Sequence, residues 1–238
     1  MSINVKHPLQ VFYGTSAQDC HYIPSKKEKK IITQITGPDA NKLNFLLSIA
    51  GFRRSHKTAY RPACNSCDAC VPVRINVKNY FPNRSQKRTR KAAKDLICVE
   101  RPPIATREQY ELFLRYKKVR HKNSEMADMG FNEYRAMIED TSVETILIEF
   151  RDKKNTLIAA SLTDILEDGL SGVYKFFNPE RKKLSLGTWI IDWHVQKCLE
   201  SNLKYVYLGY WISGSSKMSY KSKFTGLEKL EKGKWINF

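Results

Sequence analysis

The chain has 238 residues, 42% of them apolar, and its 41 Lys and Arg outweigh 24 Asp and Glu to give a net charge of +17. That length allows one domain or two modest ones, and the composition suits a packed interior beneath a heavily charged surface. No apolar run approaches the roughly 20 residues of a spanning helix and no lipidation motif is present, so the excess charge points to a polyanionic partner, nucleic acid before a membrane surface.

MSINVKHPLQVFYG, at the N-terminus, lacks the apolar core and cleavage site of a secretory signal. The expected compartment is the cytoplasm, where cysteines stay reduced and clustered ones point to metal or chemistry rather than to disulfides.

The pattern changes near residue 98, which divides a smaller, irregular, cysteine-containing basic domain (1–98) from a regular one (99–238). In the first, GPDANKLNFLLSIAGF reads as a helix, with Leu43, Leu46, Leu47 and Ala50 on one face and Gly51 as its stop. YRPACNSCDACVPVR comes next. Its Cys64, Cys67 and Cys70 have spacing that lets thiolates converge on one ion, and Cys20 could close a tetrahedral zinc site. The same run also resembles part of an iron–sulfur motif, and packed or redox-sensitive free thiols are the alternative. RSQKRTRKAAKDL is a second helix, aligning Arg84, Lys87, Arg88, Lys91 and Lys94 with no acidic residue among them. Such a face suits phosphates better than it suits plain solvation.

Pro102-Pro103 marks a linker. TREQYELFLRYKKVRH carries Thr106 and Gln109 at capping-box spacing, FNEYRAMIED is a further helix, and the polar loop RHKNSEMADMGF between them could border a site. ETILIEFR, TLIAASLTDIL and LSGVYKFF then make a three-strand meander. A helix GTWIIDWHVQKCLES, a strand LKYVYLGYWI and a short helix KMSYKSKF end the series. This order predicts an α/β (α+β) protein built on a mostly antiparallel sheet, in the order of the GNAT-like acyltransferase fold.

Two constellations could carry chemistry. Arg181, Lys182 and Lys183 lead into a helix start with Ser185, Gly187 and Thr188, where free N–H groups and the helix dipole favour an anion; an ordinary basic loop is the alternative. In YVYLGYWISGSSKMSYKSKF, Tyr210, Trp211, Lys217 and Tyr220 interleave rings with cations, a pattern that suits unpaired bases and phosphates. Tyr205 and Tyr207 read as packing residues, His194 as structural, and Cys98 and Cys198 as buried small hydrophobes.

Several long blocks in order resemble the bacterial aspartate/glutamate leucyltransferases, relatives of the arginyl-tRNA–protein transferases: FYGTSAQDCHYIP, GFRRSHKTAYRPACNSCDACVPVRI, FPNRSQKR, SLTDILEDGLSGVYKFFNP, SLGTWIIDW and YVYLGYWISGSSKMSYKSKF. The resemblance implies transfer of leucine from leucyl-tRNA to proteins beginning with Asp or Glu, which are thereby marked for degradation through a Clp-type adaptor and protease. It also implies an acetyltransferase-like catalytic half. The Cys-x-x-Cys of eukaryotic relatives is broken here, because Ile23 follows Cys20 at that spacing.

An aminoacyl ester is already activated, so alignment and removal of one proton suffice and no cofactor is required. Tyr210, Lys217 and Tyr220 are the expected catalytic residues, holding a developing oxyanion. Arg61 and Arg74 are expected to read the acceptor carboxylate, with Trp211 and Tyr174 as further substrate contacts. The tRNA is expected on Arg84, Lys87, Arg88 and Lys91, its end near Arg181, Lys182, Lys183, Ser185 and Gly187. An arginyl-tRNA-dependent transferase, a coenzyme-A-dependent N-acetyltransferase and a non-catalytic RNA-binding metal protein are the rival readings.

Overall fold

The computed structural model describes residues 10–120, 128–215 and 218–238. The interval 121–127, with most of the polar loop expected to border a site, and the pair 216–217, with Lys217, lie outside the described residues.

Residues expected to be irregular form short strands. β1 (Phe12–Gly14), β4 (Lys30–Gln34), β5 (Arg53–Ser55) and β6 (Thr58–Pro62) make an antiparallel sheet in the order β1-β4-β6-β5, and β2 (Gln18–Asp19) pairs with β3 (Lys27–Glu28) as a ribbon. α1 (Ala40–Ile49) buries Leu47 with Ile35, Ala40 and Ala59 in a small core. Gly51, at φ +82°, ends that helix as its sequence predicts.

The second sheet holds β7 (Cys70–Asn76), β8 (Ile97–Arg101), β9 (Thr145–Arg151), β10 (Leu157–Leu166), β11 (Gly169–Phe177), β12 (Tyr205–Ile212), β13 (Leu227–Glu231) and β14 (Lys234–Asn237). They run in the order β14-β13-β7-β12-β11-β10-β9-β8. Every neighbour is antiparallel except the β11–β12 pair. The expected fold class, α/β on a mostly antiparallel sheet, is therefore what forms.

The central strands are apolar on both sides because helices cover both faces. α3 (Arg107–Arg120) and α4 (Phe131–Glu139) bury Leu112, Phe113, Tyr134 and Ile138 against Leu147, Leu162 and Phe176. α5 (Leu186–Glu200) lies on the opposite face, with Ile190 against Ile148, Phe150 and Ile158, and Val195 against Val73 and Val206. Neighbours Leu147 and Ile148 thus enter different cores, as period-two alternation requires. Thr106 and Gln109 make the predicted capping box at the start of α3, each side chain bonded to the other's backbone N–H at 3.3 and 2.9 Å.

The large sheet crosses the expected divide at residue 98, since β7 sits inside it as the third of eight strands and β8 begins at Ile97. The physical reason lies in β12. It pairs with β11 over three residues only, so its other edge needs a full partner, and β7 supplies seven registered pairs. The compact N-terminal unit therefore ends near β6, and the chain beyond β6 belongs to the large sheet. A buried network joins the two. Asp164 on β10 accepts from Arg54 Nε at 2.7 Å and Nη2 at 2.6 Å, from Thr145 Oγ1 at 3.0 Å and from Asn44 Nδ2 at 3.2 Å.

Candidate active site

β11 and β12 run parallel only where Gly169, Leu170 and Ser171 face Tyr205, Val206 and Tyr207. Gly169 is required there, since any Cβ would overlap the Tyr205 carbonyl oxygen. Past Ser171 the strands part, β11 staying with β10 to Phe177 and β12 with β7 to Ile212. Parting strands leave backbone carbonyls without ladder partners.

Two basic side chains satisfy them. Arg53 reaches in from β5, its Nη2 donating to Val173 O and, at 3.3 Å, to Gly172 O of β11. Lys221, in a 3-10 turn at Ser219–Lys223, donates to Leu208 O at 2.7 Å and Tyr210 O at 2.5 Å of β12. Gly209 makes this possible: at φ +69°, any side chain on it would overlap the Arg53 guanidinium.

Near these two side chains, β11 places Lys175, whose Nζ donates to Gly187 O at 3.1 Å in the first turn of α5 and lies 5.3 Å from the Tyr220 ring centre. Burial, reinforced by the Arg53 charge, pulls the Lys175 pKa down to about 7. Burial also drives Lys221 well below the usual lysine range, with Arg53 and Lys175 adding to it. His194 on α5 is buried against Thr163 Oγ1 at 2.8 Å, and burial, then Lys175, lowers it to about 3, so it stays neutral. The structural role expected for His194 fits this placement.

The cleft opens toward the start of α5. Arg181, Lys182 and Lys183 are exposed there, and Ser185 takes a left-handed conformation at φ 45° as the chain enters the helix. α2 (Arg84–Ala92) lies alongside because Arg90 grips Asp192 of α5 at 2.8 and 2.9 Å, and Tyr80 donates to the same carboxylate at 2.6 Å. Gln86 and Thr89 face inward, which leaves Arg84, Lys87, Arg88 and Lys91 exposed. The structure therefore brings the two basic segments expected to meet tRNA onto neighbouring elements.

Other expected residues are placed differently. Tyr210 is buried, and the single proton of its hydroxyl is shared between Gly51 O at 2.9 Å and Tyr60 O at 3.0 Å. A register shift between Tyr207 and Gly209 turns this ring toward the N-terminal unit, so Tyr210 is a strut whose proton is already engaged. Trp211 packs on the core edge-on to Phe238, ring centres 4.9 Å apart. Tyr220, expected to be catalytic, lies with its ring centre 5.3 Å from Lys175 Nζ, and burial raises its pKa. Tyr174 packs edge-on to Phe113 at 6.1 Å.

Arg74 is buried and clasped: Nε donates to Glu228 at 2.8 Å, Nη1 to Tyr207 Oη at 3.3 Å, and the guanidinium lies 3.5 Å from the Tyr205 ring centre and 4.4 Å from that of Trp235. It has no free fork for a substrate carboxylate. Arg61 is exposed on β6, contacting Ala50 O at 3.4 Å and the Phe52 ring at 5.2 Å, with no ion pair among the described residues.

Cys20, Cys64, Cys67 and Cys70 lie close enough that each of the others adds to the rise of the Cys70 pKa, which burial chiefly pushes to about 11. Among the described residues, however, no three His, Cys, Asp or Glu side chains converge as metal ligands. Cys198 is buried and Cys98 half-buried, and burial raises each thiol to about 12.

Arg53 and Lys175 escape motif reading, and Lys221, although it lies in the segment that interleaves rings with cations, shows no sign there of its hold on the β12 carbonyls. The available signal was a lysine at 175 within a strand that helices cover on both faces, where an unpaired cation is costly.

A mostly antiparallel sheet with one splayed parallel pair, opening onto a helix start, makes this an acyltransferase-like fold with a cationic cleft. A family model described as arginine-tRNA-protein transferase, N terminus, matches residues 18–88, and its C-terminal counterpart matches 108–231. The aspartate/glutamate leucyltransferase of Granulibacter bethesdensis is 46% identical over 98% of this chain and 88% of its own length. That of Paramagnetospirillum magneticum is 44% identical over 95% and 93%. The chain belongs to the arginine-tRNA-protein transferase family and is a transferase. Among solved structures, L-PGS from Bacillus licheniformis has a TM-score of 0.47 at 10% identity, covering 77% of this chain and 54% of that one. Among the described residues no helix is long and apolar enough to cross a membrane.

Proposed function

We propose that this protein transfers leucine from leucyl-tRNA to the α-amine of cytoplasmic proteins that begin with Asp or Glu, marking them for degradation. The observation that carries the reading is the splayed β11–β12 cleft, which gathers the basic side chains Arg53, Lys175 and Lys221, with the basic surface of α2 beside it. A nucleic-acid donor needs that charge. Relatives 44–47% identical are named leucyltransferases, which favours leucine over arginine as the transferred residue.

In this reading the acceptor stem lies on Arg84, Lys87, Arg88 and Lys91, and the terminal nucleotides pass Arg181 to Gly187 into the cleft. The amine attacks the ester carbonyl, the ribose oxygen leaves, and positioning supplies most of the rate. Arg61 reads the acceptor carboxylate, since its guanidinium is exposed while that of Arg74 is engaged. No step calls for a metal or cofactor.

The test is to offer an Asp-starting peptide with leucyl-tRNA, arginyl-tRNA or acetyl-CoA and to weigh the product. One leucyl group gained from leucyl-tRNA alone supports the reading. Arginylation or acetylation would replace it with a rival, and an unchanged peptide would leave a binding protein.

A further inference from the structure

We propose that Lys175 is the proton acceptor of this transfer, its side-chain amine receiving the proton that the attacking α-amine must lose and returning it to the ribose oxygen that leaves. The inference rests on the leucyl-transfer reading above and adds the general base that reading lacks.

The geometry supplies three conditions. First, Lys175 stands where β11 has left β12, inside the cleft and directly beneath the start of α5, so a donor entering by that helix brings its ester bond near Nζ. The residue as a whole keeps partial exposure. Second, a neutral amine has two N–H bonds and one lone pair; one N–H is held by Gly187 O at 3.1 Å, which orients the group and leaves the lone pair free. Third, the groups facing it oppose a resting charge and still tolerate a transient one.

Arg53 from β5 adds its charge to the lowering, Lys221 from the 3-10 turn is itself driven well below the usual lysine range, and His194 from α5 is neutral. No carboxylate contributes to its titration, and its pKa falls to about 7. The Tyr220 ring, 5.3 Å away, favours the ammonium once the proton arrives. A base poised near the working pH is the efficient choice.

The step balances. The acceptor nitrogen forms a bond to the leucyl carbonyl carbon, and its N–H proton passes to Nζ. The bond from that carbon to the ribose oxygen then breaks, the oxygen taking the electron pair and the proton from the Lys175 ammonium. Repulsion from Arg53 helps that return. Enzyme and protonation state are restored, and a peptide bond and deacylated tRNA result.

Single-turnover transfer from saturating leucyl-tRNA to an Asp-starting peptide should be followed from about pH 5.5 to about pH 9 in wild type and Lys175→Arg, whose guanidinium stays charged throughout. The wild-type rate should rise through about pH 7, the Lys175 value. Lys175→Arg should bind leucyl-tRNA normally yet transfer about 100- to 10,000-fold more slowly, with the rise through neutral pH gone. A variant that matches the wild-type rate and profile overturns the role. Should Lys175→Arg misfold, Lys175→Met, which also cannot accept a proton, takes its place with the same two outcomes: loss of transfer with tRNA binding kept supports the role, and a wild-type rate overturns it. Wild type that forms no leucylated peptide refutes the transfer reading itself, whereas active wild type with an equally active variant refutes Lys175 alone.

Discussion

Gly209 and Arg53 occupy the same space. The Arg53 guanidinium lies where a Gly209 side chain would be, and Gly209 holds φ +69°, which other residues adopt at a cost. Gly209→Ala should therefore push Arg53 off the Gly172 and Val173 carbonyls, lowering stability by about 1–3 kcal/mol and reducing transfer. Urea unfolding of Gly209→Ala alone and with Arg53→Ala checks the mechanism. The two changes should couple by about 0.5–3 kcal/mol, and strict additivity would separate the glycine from the arginine.

Arg54 and Asp164 pair at 2.6 Å with side-chain exposures of 2% and 1%, and they fasten the N-terminal unit to the large sheet. Asp164→Ala leaves a buried guanidinium uncompensated and should cost about 3–5 kcal/mol in chemical denaturation. Replacing both by apolar residues of similar volume should cost less than the single change.

The clasp on Arg74 turns an expected specificity residue into a structural one. Arg74→Lys removes the guanidinium that bonds Glu228 and stacks between Tyr205 and Trp235, so stability should fall by about 1.5–3 kcal/mol. The preference for acidic acceptors, measured per folded molecule, should not change. Arg61→Ala should instead weaken that preference while leaving tRNA affinity intact.

Lys87 and Arg88 are exposed on α2. Reversing both to Glu should weaken leucyl-tRNA binding and flatten its dependence on salt, the logarithmic slope dropping by about 0.7–0.9 for each phosphate no longer neutralised. Thermal stability should be close to wild type. An unchanged salt slope would move the tRNA off this helix.

Periodic segments are legible in the sequence: α3 with its Thr106–Gln109 box, the β9–β10–β11 meander, α5 and β12 all lie where the pattern puts them. The strands before residue 63 are not, because two- to five-residue strands are too short to show alternation. The β13–β14 hairpin also escapes the pattern. Its turn is marked only by Lys232 and Gly233 at positive φ, and of that pair only the glycine is a visible signal.

The site is partly legible. Charge on α2 and before α5 can be read because exposed cations need no partner to be recognised. The roles of Arg53 and Lys221 cannot, since they depend on carbonyls that become unpaired only when β11 and β12 separate. Arg74 looks free in the sequence because Glu228 reaches it from 154 residues away.

The most direct test of the account is the acceptor preference at saturating leucyl-tRNA, read by mass as the rate of leucylation of peptides that differ only in beginning with Asp, Glu, Asn or Ala. Leucylation of the Asp and Glu peptides, with little or none of Asn and Ala, is the predicted result. Equal use of all four would contradict the account, because neither the carboxylate-reading role of Arg61 nor selection of acidic N-termini could then be right.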